Sequence, residues 1–333
     1  MQLVLDHTGL YLSVRNKCFS ITNGAQSRII SPARISSILI TSAIKISSPA
    51  MLLAVRHNIP LILTDAGSGI HATLRSATYT NLPVYRRWQM HFTQTAEALH
   101  WFANILLLKL HQQSQNLLQW QQGLQKVEPL FEPLVQKAIT KYQQLKVDVE
   151  NTQNITKEQL TTAEAVIARY YWKGAALAVP EEYKMAGRHN RPAKDMVNAA
   201  LNYWYGMLYH QVETAIHSCG LDASCSILHA EDYNTPALCF DLIEPFRPQA
   251  DAAIVLLCQN RIIQPTHFDV KDNGYWLSKK GKQLIIPAYH AWVHEKMVFN
   301  NRNTLRKNHI LQLPASLLKH IRSIYERGDI NNI

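Results

Sequence analysis

The pattern of apolar residues changes at Asn81-Leu-Pro83, and this change constrains the fold more than any other feature of the chain. Before it, apolar runs are short and are separated by turn-forming residues such as Asn23-Gly24, which is typical of strands. After it, Leu, Gln and Ala predominate over long segments with few glycines, which indicates helices. The sequence therefore predicts an α+β protein with a small, mainly β domain at 1–80, a linker at 81–93 and a larger all-α C-terminal domain at 94–333.

Local patterns within the first domain predict individual elements. Ser48 followed by Pro49 predicts the start of a short helix over 50–55, because serine caps helices and proline is tolerated in their first turn. The strand predictions cover residues 10–14, 18–21, 35–40, 44–46 and 61–63.

The second domain shows helical periodicity. Trp101, Ile105 and Leu108 recur at helical spacing, which predicts a buried apolar stripe rather than a cofactor site. Proline at position 245 predicts a kink or a restart in the helix that contains it. The further helix predictions cover residues 130–145, 157–179, 194–219, 237–259 and 277–298.

The composition excludes several classes of protein. Apolar residues make up 47% of the chain and charged residues 17%, which fits a compact core and excludes disorder. The longest apolar run, residues 98–108, is far shorter than the roughly 20 residues of a membrane span. The N-terminus lacks the pattern of a secretory signal, and the five cysteines lack a zinc-binding or redox spacing. We therefore expect a cytoplasmic protein with reduced cysteines.

A formal net charge of +10 and a pI near 9.3 favour a polyanionic partner, of which nucleic acid is the foremost. The excess is spread along the chain: residues 1–80 contain seven Lys or Arg and two acids, and residues 279–333 contain ten and three. A binding surface made of several segments is therefore expected. Composition leaves open the alternative that the charge serves solubility alone.

The first candidate for chemistry is a pair of acids, Asp241 and Glu244, three residues apart in an apolar helical segment. Two carboxylates on one helical face repel each other unless they are neutralised, so removing either charge is expected to stabilise the metal-free protein. A divalent cation such as Mg²⁺ or Mn²⁺ is one neutraliser, and Arg247 is another. The spacing leaves both possibilities open.

Two further candidates are weaker on their own. Glu164 lies in a helical segment, where a single glutamate is commonly a solvated side chain. His229 follows a turn-like segment, where a lone histidine is commonly structural. The chain lacks a phosphate-binding loop, a dinucleotide fingerprint and a serine nucleophile elbow, so nucleotide-driven and covalent serine chemistry lose support.

Four motifs together resemble one family, the CRISPR-associated integrase that forms the larger subunit of the spacer-acquisition complex. The motifs occur in the family's order and at similar separations over nearly the whole chain. Where the family has a glycine after the motif glutamate, this chain has alanine, and alanine and serine replace a proline and a glycine before the histidine. The motifs are Glu164 with Arg169, Tyr171 and Trp172; Arg191-Pro-Ala-Lys-Asp195-Met-Val-Asn198; Gly220-Leu-Asp222 with Leu228-His229; and Asp241-Leu-Ile-Glu244-Pro-Phe-Arg247-Pro with Asp251.

This resemblance implies a metal-dependent DNA integrase and endonuclease. It implies that Glu164, His229 and Glu244 hold Mg²⁺ or Mn²⁺, and that Asp241 assists as a nearby acid or an alternative ligand. The implied reaction joins the 3′-hydroxyl of a short DNA fragment to a phosphodiester in a repeat array by direct transesterification, and with water in place of the hydroxyl it becomes hydrolysis.

The resemblance also implies partners. These are double-stranded DNA, a second copy of the chain bound through the β domain, and a small ferredoxin-like companion subunit. Two alternatives are a DNA-binding scaffold without catalysis, and a stand-alone nuclease or transposon-type integrase of the same fold. The residues of the motif blocks that are candidates for contact with DNA are Tyr171, Arg188, Arg191, Lys194 and Arg247.

Overall fold

A computed structural model of the protein describes residues 2–24, 26–35, 37–57, 59–64, 70–74, 82–123, 128–152, 154–183, 185–189, 192–232, 235–299 and 301–326. The chain divides into two compact units, Met1–Asn81 and Leu82–Ile333. The division falls where the apolar pattern of the sequence changes. In the described ranges, no helix is long and apolar enough to cross a membrane.

The described residues of the first unit form two four-stranded sheets and one α-helix. One sheet has the order β1-β5-β7-β8, in which only the β7–β8 pair is antiparallel; the other has the order β4-β3-β2-β6, in which only β2 and β6 are parallel. Apolar residues of both sheets and of α1 form one core. The elements are β1 (Gln2–Leu5), β2 (Tyr11–Arg15), β3 (Cys18–Asn23), β4 (Gln26–Ile30), β5 (Ser37–Ile40), β6 (Lys45–Ile46), α1 (Ser48–Arg56), β7 (Leu61–Thr64) and β8 (Ile70–Leu74).

The short helix α1 begins as the sequence predicts, but with a different cap. Ser47, not Ser48, is the N-cap residue, and its Oγ accepts a hydrogen bond of 3.3 Å from the Ala50 amide. Ser48 and Pro49 then occupy the first turn, where the missing N–H of proline costs nothing. The small side chains of Ala50 and Ala54 are fully buried, which brings α1 against β2.

The second unit is mainly helical. Helices α3, α4 and α5 pack on one another, and α6 packs against α7, α8 and α10. The elements are α2 (Leu82–Phe92), α3 (Ala96–Gly123), α4 (Glu128–Asn151), α5 (Lys157–Ala178), α6 (Met196–Ser218), α7 (Ala237–Ile243), α8 (Arg247–Gln259), β9 (Phe268–Lys271), β10 (Gly274–Leu277), α9 (Lys279–Val293), β11 (Lys296–Phe299), β12 (Arg302–Leu305) and α10 (Arg306–Tyr325).

The structure corrects the sequence prediction of an all-α second domain. The pairs β9–β10 and β11–β12 form two antiparallel hairpins. The first turns at Asp272 and Asn273, which both have positive φ angles (50° and 56°), as a tight hairpin turn requires. The second hairpin takes up the end of the segment 277–298, which was predicted to be wholly helical.

The segment predicted as a linker, 81–93, instead contains α2. Its Trp88 and Phe92 are buried in the core of the helical unit. The buried amide of Gln89 donates to the carbonyls of Asp222 and Cys225, at 2.8 and 3.1 Å, and accepts from the Asp222 amide. These contacts make α2 part of the helical unit, and they support the loop that follows α6.

The packing of α5 on α3 brings the candidate site together. An ideal Cβ at Gly174 would lie 2.2 Å from Leu117 Cδ2, so the Leu117 side chain of α3 packs directly on the backbone of α5 and would have to move to admit a side chain there. This contact fixes the two helices that carry Lys109 and Glu164.

Candidate active site

The centre of the candidate site is a buried lysine between two glutamates. The Lys109 ammonium on α3 contacts Oε1 of Glu164 on α5 and Oε2 of Glu244, which follows α7. The side chains are 5%, 25% and 1% exposed, respectively. Two of the predicted ligands, 80 residues apart in the sequence, thus share one cation. Oppositely charged groups in such a buried place interact strongly because little water screens them.

A break in the helix positions Glu244. The segment 237–259, predicted as a helix with a kink or restart at Pro245, consists of α7, a 3-10 turn over Glu244–Phe246, and α8. Pro245 and Pro248 cannot donate the backbone hydrogen bonds of a continuous helix, so the chain restarts there. The turn packs against α3, which directs the carboxylate of Glu244 toward Lys109.

Arg247 completes the charge balance of this cluster. Its Nε lies 3.3 Å from Glu244 Oε1, its Nη2 donates to the Tyr209 hydroxyl, and its guanidinium lies over the Tyr205 ring. Burial by itself would lower the pKa of Lys109, because it favours the uncharged amine. The negative charges of the two glutamates outweigh this effect, and the pKa of Lys109 is raised. Burial likewise opposes ionisation of Glu244, but Arg247 and Lys109 lower its pKa. All three groups are therefore charged.

His229 is oriented by Asp241. Its Nδ1 lies 2.7 Å from Asp241 Oδ1. An ionised carboxylate only accepts hydrogen bonds, so Nδ1 donates to Asp241, and in the neutral tautomer with that proton the lone pair is on Nε2. The His229 side chain is 31% exposed and borders a cavity of about 300 Å³. A histidine held in this way is a suitable metal ligand.

The contacts of Asp241 bear on two expectations about this residue. Asp241 Oδ1 also accepts from the His229 amide (3.3 Å), and Oδ2 accepts from the amides of Ile227 (2.6 Å) and Leu228 (3.3 Å). With two donors on each oxygen, hydrogen bonds already satisfy the carboxylate, which favours the role of an assisting acid over that of a metal ligand. Asp241 also does not form an unneutralised pair with Glu244, because each acid has its own partners.

We expect Asp241→Ala to destabilise the helical unit by roughly 2 to 4 kcal/mol, because it leaves buried amide donors without an acceptor. The measurement is chemical denaturation followed by circular dichroism. Asp232→Ala is the matched control, since Asp232 is an exposed acid that lies outside α7, in the loop segment before it. A loss no larger than that of the control would contradict the assigned role.

A second buried network lies behind the cluster. Asp251 accepts hydrogen bonds from the Tyr171 hydroxyl (3.0 Å) and from the Tyr205 hydroxyl. Asn116 on α3 donates to Tyr171 (3.0 Å) and to the Pro248 carbonyl (2.7 Å). The network links α3, α5, α6 and α8 around the site. Burial raises the pKa of Asp251 to about 6, although the bonds from Tyr205 and Tyr171 oppose the rise.

The raised pKa of Asp251 predicts a pH-dependent stability. Its folded pKa lies above the ordinary 3.8, so between about pH 6 and 4 the native state binds this proton more tightly than the unfolded chain does. This group therefore adds stability as the pH falls through 6, up to roughly 3 kcal/mol. The melting temperature of Asp251→Asn minus that of wild type should accordingly be more positive at pH 7.5 than at pH 5. A pH-independent difference would contradict this.

The residues predicted to contact DNA differ in their environments. Tyr171 is fully buried and bonded to Asp251, so it is not available for the contact with DNA that was expected of it. Arg247 is held by Glu244, and Arg188 donates to the side chains of two asparagines of α6. Lys194 is exposed and available to phosphate, whereas Arg191 lies outside the described residues.

Two observations test whether the site fits a divalent cation. Both carboxylate oxygens of Glu244 are buried without a hydrogen bond of good geometry, and they rely on ion pairs alone. The pair of Glu164 and Glu244 already shares a cation, and carboxylate oxygens suit Mg²⁺ and Mn²⁺. Among the described residues, however, no three His, Cys, Asp or Glu side chains are arranged to hold a metal. The two glutamates fit as a pair, and His229 is not grouped with them.

Lys109 is the functional residue that sequence reasoning missed. Its position in an apolar run made it look like the end of that run, but α3 continues to Gly123. The sequence does contain an indication that Lys109 is buried. Lys109, Gln113 and Asn116 follow Phe102 at helical spacing, on the buried face of α3. Polar residues on a buried stripe indicate partners inside the protein.

The same fold occurs in solved structures. A casposase bound to integration product superposes with a TM-score of 0.76 at 21% identity, covering 98% of this chain and 91% of that one. A Cas1 protein from Thermotoga maritima gives 0.75 at 19% identity, covering 96% and 97%. A Cas6-RT-Cas1–Cas2 complex gives 0.77 at 17% identity, covering 97% of this chain and 35% of that one. The protein therefore has the fold shared by casposase and Cas1 proteins.

Sequence comparison is more specific. The family model described as CRISPR associated protein Cas1 matches residues 3–291. The chain is 26% identical to "CRISPR-associated endonuclease Cas1 1" of Archaeoglobus fulgidus, over 99% of this chain and 97% of the relative. A relative of the same description from Thermus thermophilus is 35% identical over 133 residues, 40% of this chain and 42% of that protein. The chain belongs to the Cas1 family, which confirms the resemblance seen in its motifs.

Proposed function

We propose that the protein is a metal-dependent DNA integrase and endonuclease of CRISPR adaptation, which inserts short DNA fragments as new spacers into a repeat array. The observation that carries the proposal is the convergence of Glu164 and Glu244 on one cation position in a Cas1-family chain. The relatives named endonucleases and the casposase bound to integration product support the same chemistry.

The proposed reaction is a direct transesterification. The 3′-hydroxyl oxygen of the fragment forms a bond to the target phosphorus, and the existing bond from that phosphorus to a 3′-oxygen breaks. The attacking hydroxyl gives up a proton and the leaving 3′-oxygen takes one up. One P–O bond replaces another, so the number of phosphodiester bonds is unchanged and no nucleotide is consumed. A bound Mg²⁺ or Mn²⁺ would lower the pKa of the attacking hydroxyl and neutralise charge on the phosphate.

The roles of the protein groups follow from their contacts. Glu164 and Glu244 would hold the metal, because they share a cation position and suit a hard ion. The Nε2 lone pair of His229 would supply a third donor, oriented by Asp241. Water in place of the attacking hydroxyl would give hydrolysis, which accounts for an endonuclease activity at the same site.

Binding to duplex DNA is proposed to rest on charge. The net charge of +10 attracts phosphate, and contacts through lysine and arginine weaken as salt rises. Lys194, exposed just before α6, is one such contact. The binding partners proposed with DNA are a second copy of the chain, through the strand-rich unit, and a small ferredoxin-like subunit. The solved Cas6-RT-Cas1–Cas2 neighbour supports a partner protein, and the site of action is proposed to be the cytoplasm.

A strand-transfer assay tests the proposal. Purified protein, its small companion subunit, a short duplex and a supercoiled plasmid with repeats are combined with Mg²⁺ or with a chelator. Joined product is expected only with Mg²⁺ and a fragment that ends in a 3′-hydroxyl. Joining by a 3′-deoxy fragment, or joining in the presence of chelator, would contradict the mechanism.

The same assay separates the alternatives. A transposon-type integrase, which the similarity to casposase keeps in consideration, would insert equally well into a plasmid without repeats. A scaffold without catalysis would bind the fragment and give no joined product under any condition. Insertion confined to the repeats supports the proposed role.

A further inference from the structure

Lys109 is unusual because a charged lysine lies on the buried face of a long helix. Its side chain is only 5% exposed, and its ammonium contacts both Glu164 and Glu244. Lysine is seldom buried this deeply unless it is paired. Because Lys109 contacts both proposed metal ligands, it affects the binding of any further cation to them.

The charge balance of the cluster limits what can be added to it. Lys109 and Arg247 carry two positive charges, and Glu164 and Glu244 carry two negative charges. A divalent cation added to these four groups would leave them with a net charge of +2 around Glu244, which is 1% exposed, and Asp251 beside Arg247 can offset at most one of those charges. An uncompensated charge in such a place is costly. A resident positive charge therefore has to leave when the metal enters.

Of the two resident cations, Lys109 is the one that can leave. Arg247 is held by the Tyr209 hydroxyl and lies over the Tyr205 ring, and of the two glutamates it is paired with Glu244 and not with Glu164. Lys109 occupies the space between the two carboxylates, where a metal that both of them bind would lie. Its flexible stem of four carbons allows the ammonium to move without the helix.

We propose that Lys109 is the resident counterion of the acid pair, and that a divalent cation must displace its ammonium to bind Glu164 and Glu244. The inference rests on the proposed function, since it takes the two glutamates as metal ligands. Lys109 has two opposite effects. It holds the acids together in the metal-free protein, and it lowers the apparent affinity for the metal.

A titration with Mn²⁺, in which free Mn²⁺ is measured by electron paramagnetic resonance, tests this without any activity assay. Lys109→Met is expected to bind Mn²⁺ about tenfold or more tightly than wild type, because the competing charge is gone. Lys146→Met is the matched control, since Lys146 forms an exposed ion pair with Glu150, and it should bind as wild type does. Glu244→Gln should lose binding.

The titration distinguishes a failure of the proposed displacement from a failure of the proposed metal site. Equal or weaker binding by Lys109→Met, with clear binding by wild type, overturns the displacement and leaves the metal site standing. Absence of binding by wild type and every variant overturns the metal site itself, and the displacement with it.

A measurement on wild type alone covers the case in which Lys109→Met does not fold. Crystals grown without metal and then exposed to Mn²⁺ should show an anomalous peak between the carboxylates of Glu164 and Glu244. The Lys109 ammonium should have moved out of contact with both. A peak with the ammonium still in contact with both carboxylates overturns the proposal.

Discussion

Glu164→Gln and Glu244→Gln should each lower the rate of strand transfer by at least about a hundredfold. Glutamine keeps the size of the side chain but removes the negative charge that a divalent cation needs, and the lost charge also leaves Lys109 with a single carboxylate partner. The measurement is the initial rate of joined product at saturating Mg²⁺.

Glu158→Gln is the matched control for this loss. Glu158 lies on the same helix as Glu164, but it is exposed and outside the cluster, so its variant should join DNA at the wild-type rate. DNA binding by all three variants should remain within a few-fold of wild type, which separates chemistry from binding. Wild-type joining by Glu164→Gln or Glu244→Gln would remove that residue from the site.

Glu244→Ala should destabilise the metal-free protein by about 3–5 kcal/mol, because it leaves Arg247 without its carboxylate partner and Lys109 with one partner in place of two. The sequence alone suggested the opposite, since Asp241 and Glu244 looked like a repelling pair. Glu164→Ala should cost less, because its side chain is 25% exposed and water can reach the remaining charge.

The measurement is the denaturation midpoint of the helical unit in the presence of chelator. Glu150→Ala provides the surface control: it breaks an exposed ion pair, 3.7 Å from Lys146, and should cost at most about 1 kcal/mol. The double variant Lys109→Met/Glu244→Gln should recover much of the loss, because it removes one charge of each sign. A loss for Glu244→Ala no larger than that of the surface control would show that the buried ion pairs are not formed.

The division of the chain and its central strands could be predicted from the sequence because their apolar patterns are strong. The strands of the first unit that were missed, β1, β4 and β8, all lie at the edges of their sheets. In β4, four of five residues are exposed, so the strand shows no alternation to read. The sequence Asp-Asn-Gly favours a turn between β9 and β10. The hairpin was nevertheless not predicted, because this short segment lies between two strongly predicted helices.

The positions of the acids could also be predicted, but not their partners. Motifs indicated Glu164, His229, Asp241 and Glu244, and the structure brings two of them together on Lys109. That Asp241 binds the loop of His229 depends on amides 12 to 14 residues away, which no local pattern reveals. Burial of Lys109 depends on the packing of α3 against α5 and the turn after α7, which is a tertiary property.

The measurement that tests the central claim most directly is a sulfur substitution at the reacting phosphate. A target duplex is made with one non-bridging oxygen replaced by sulfur, separately for each stereoisomer, at the phosphodiester where joining occurs. Mg²⁺ prefers oxygen, whereas Mn²⁺ accepts sulfur more readily. If a divalent cation held by Glu164 and Glu244 contacts this phosphate, one stereoisomer should block joining with Mg²⁺, and Mn²⁺ should restore it in wild type but not in Glu244→Gln. Equal joining of both stereoisomers and the all-oxygen target with Mg²⁺ would contradict the account.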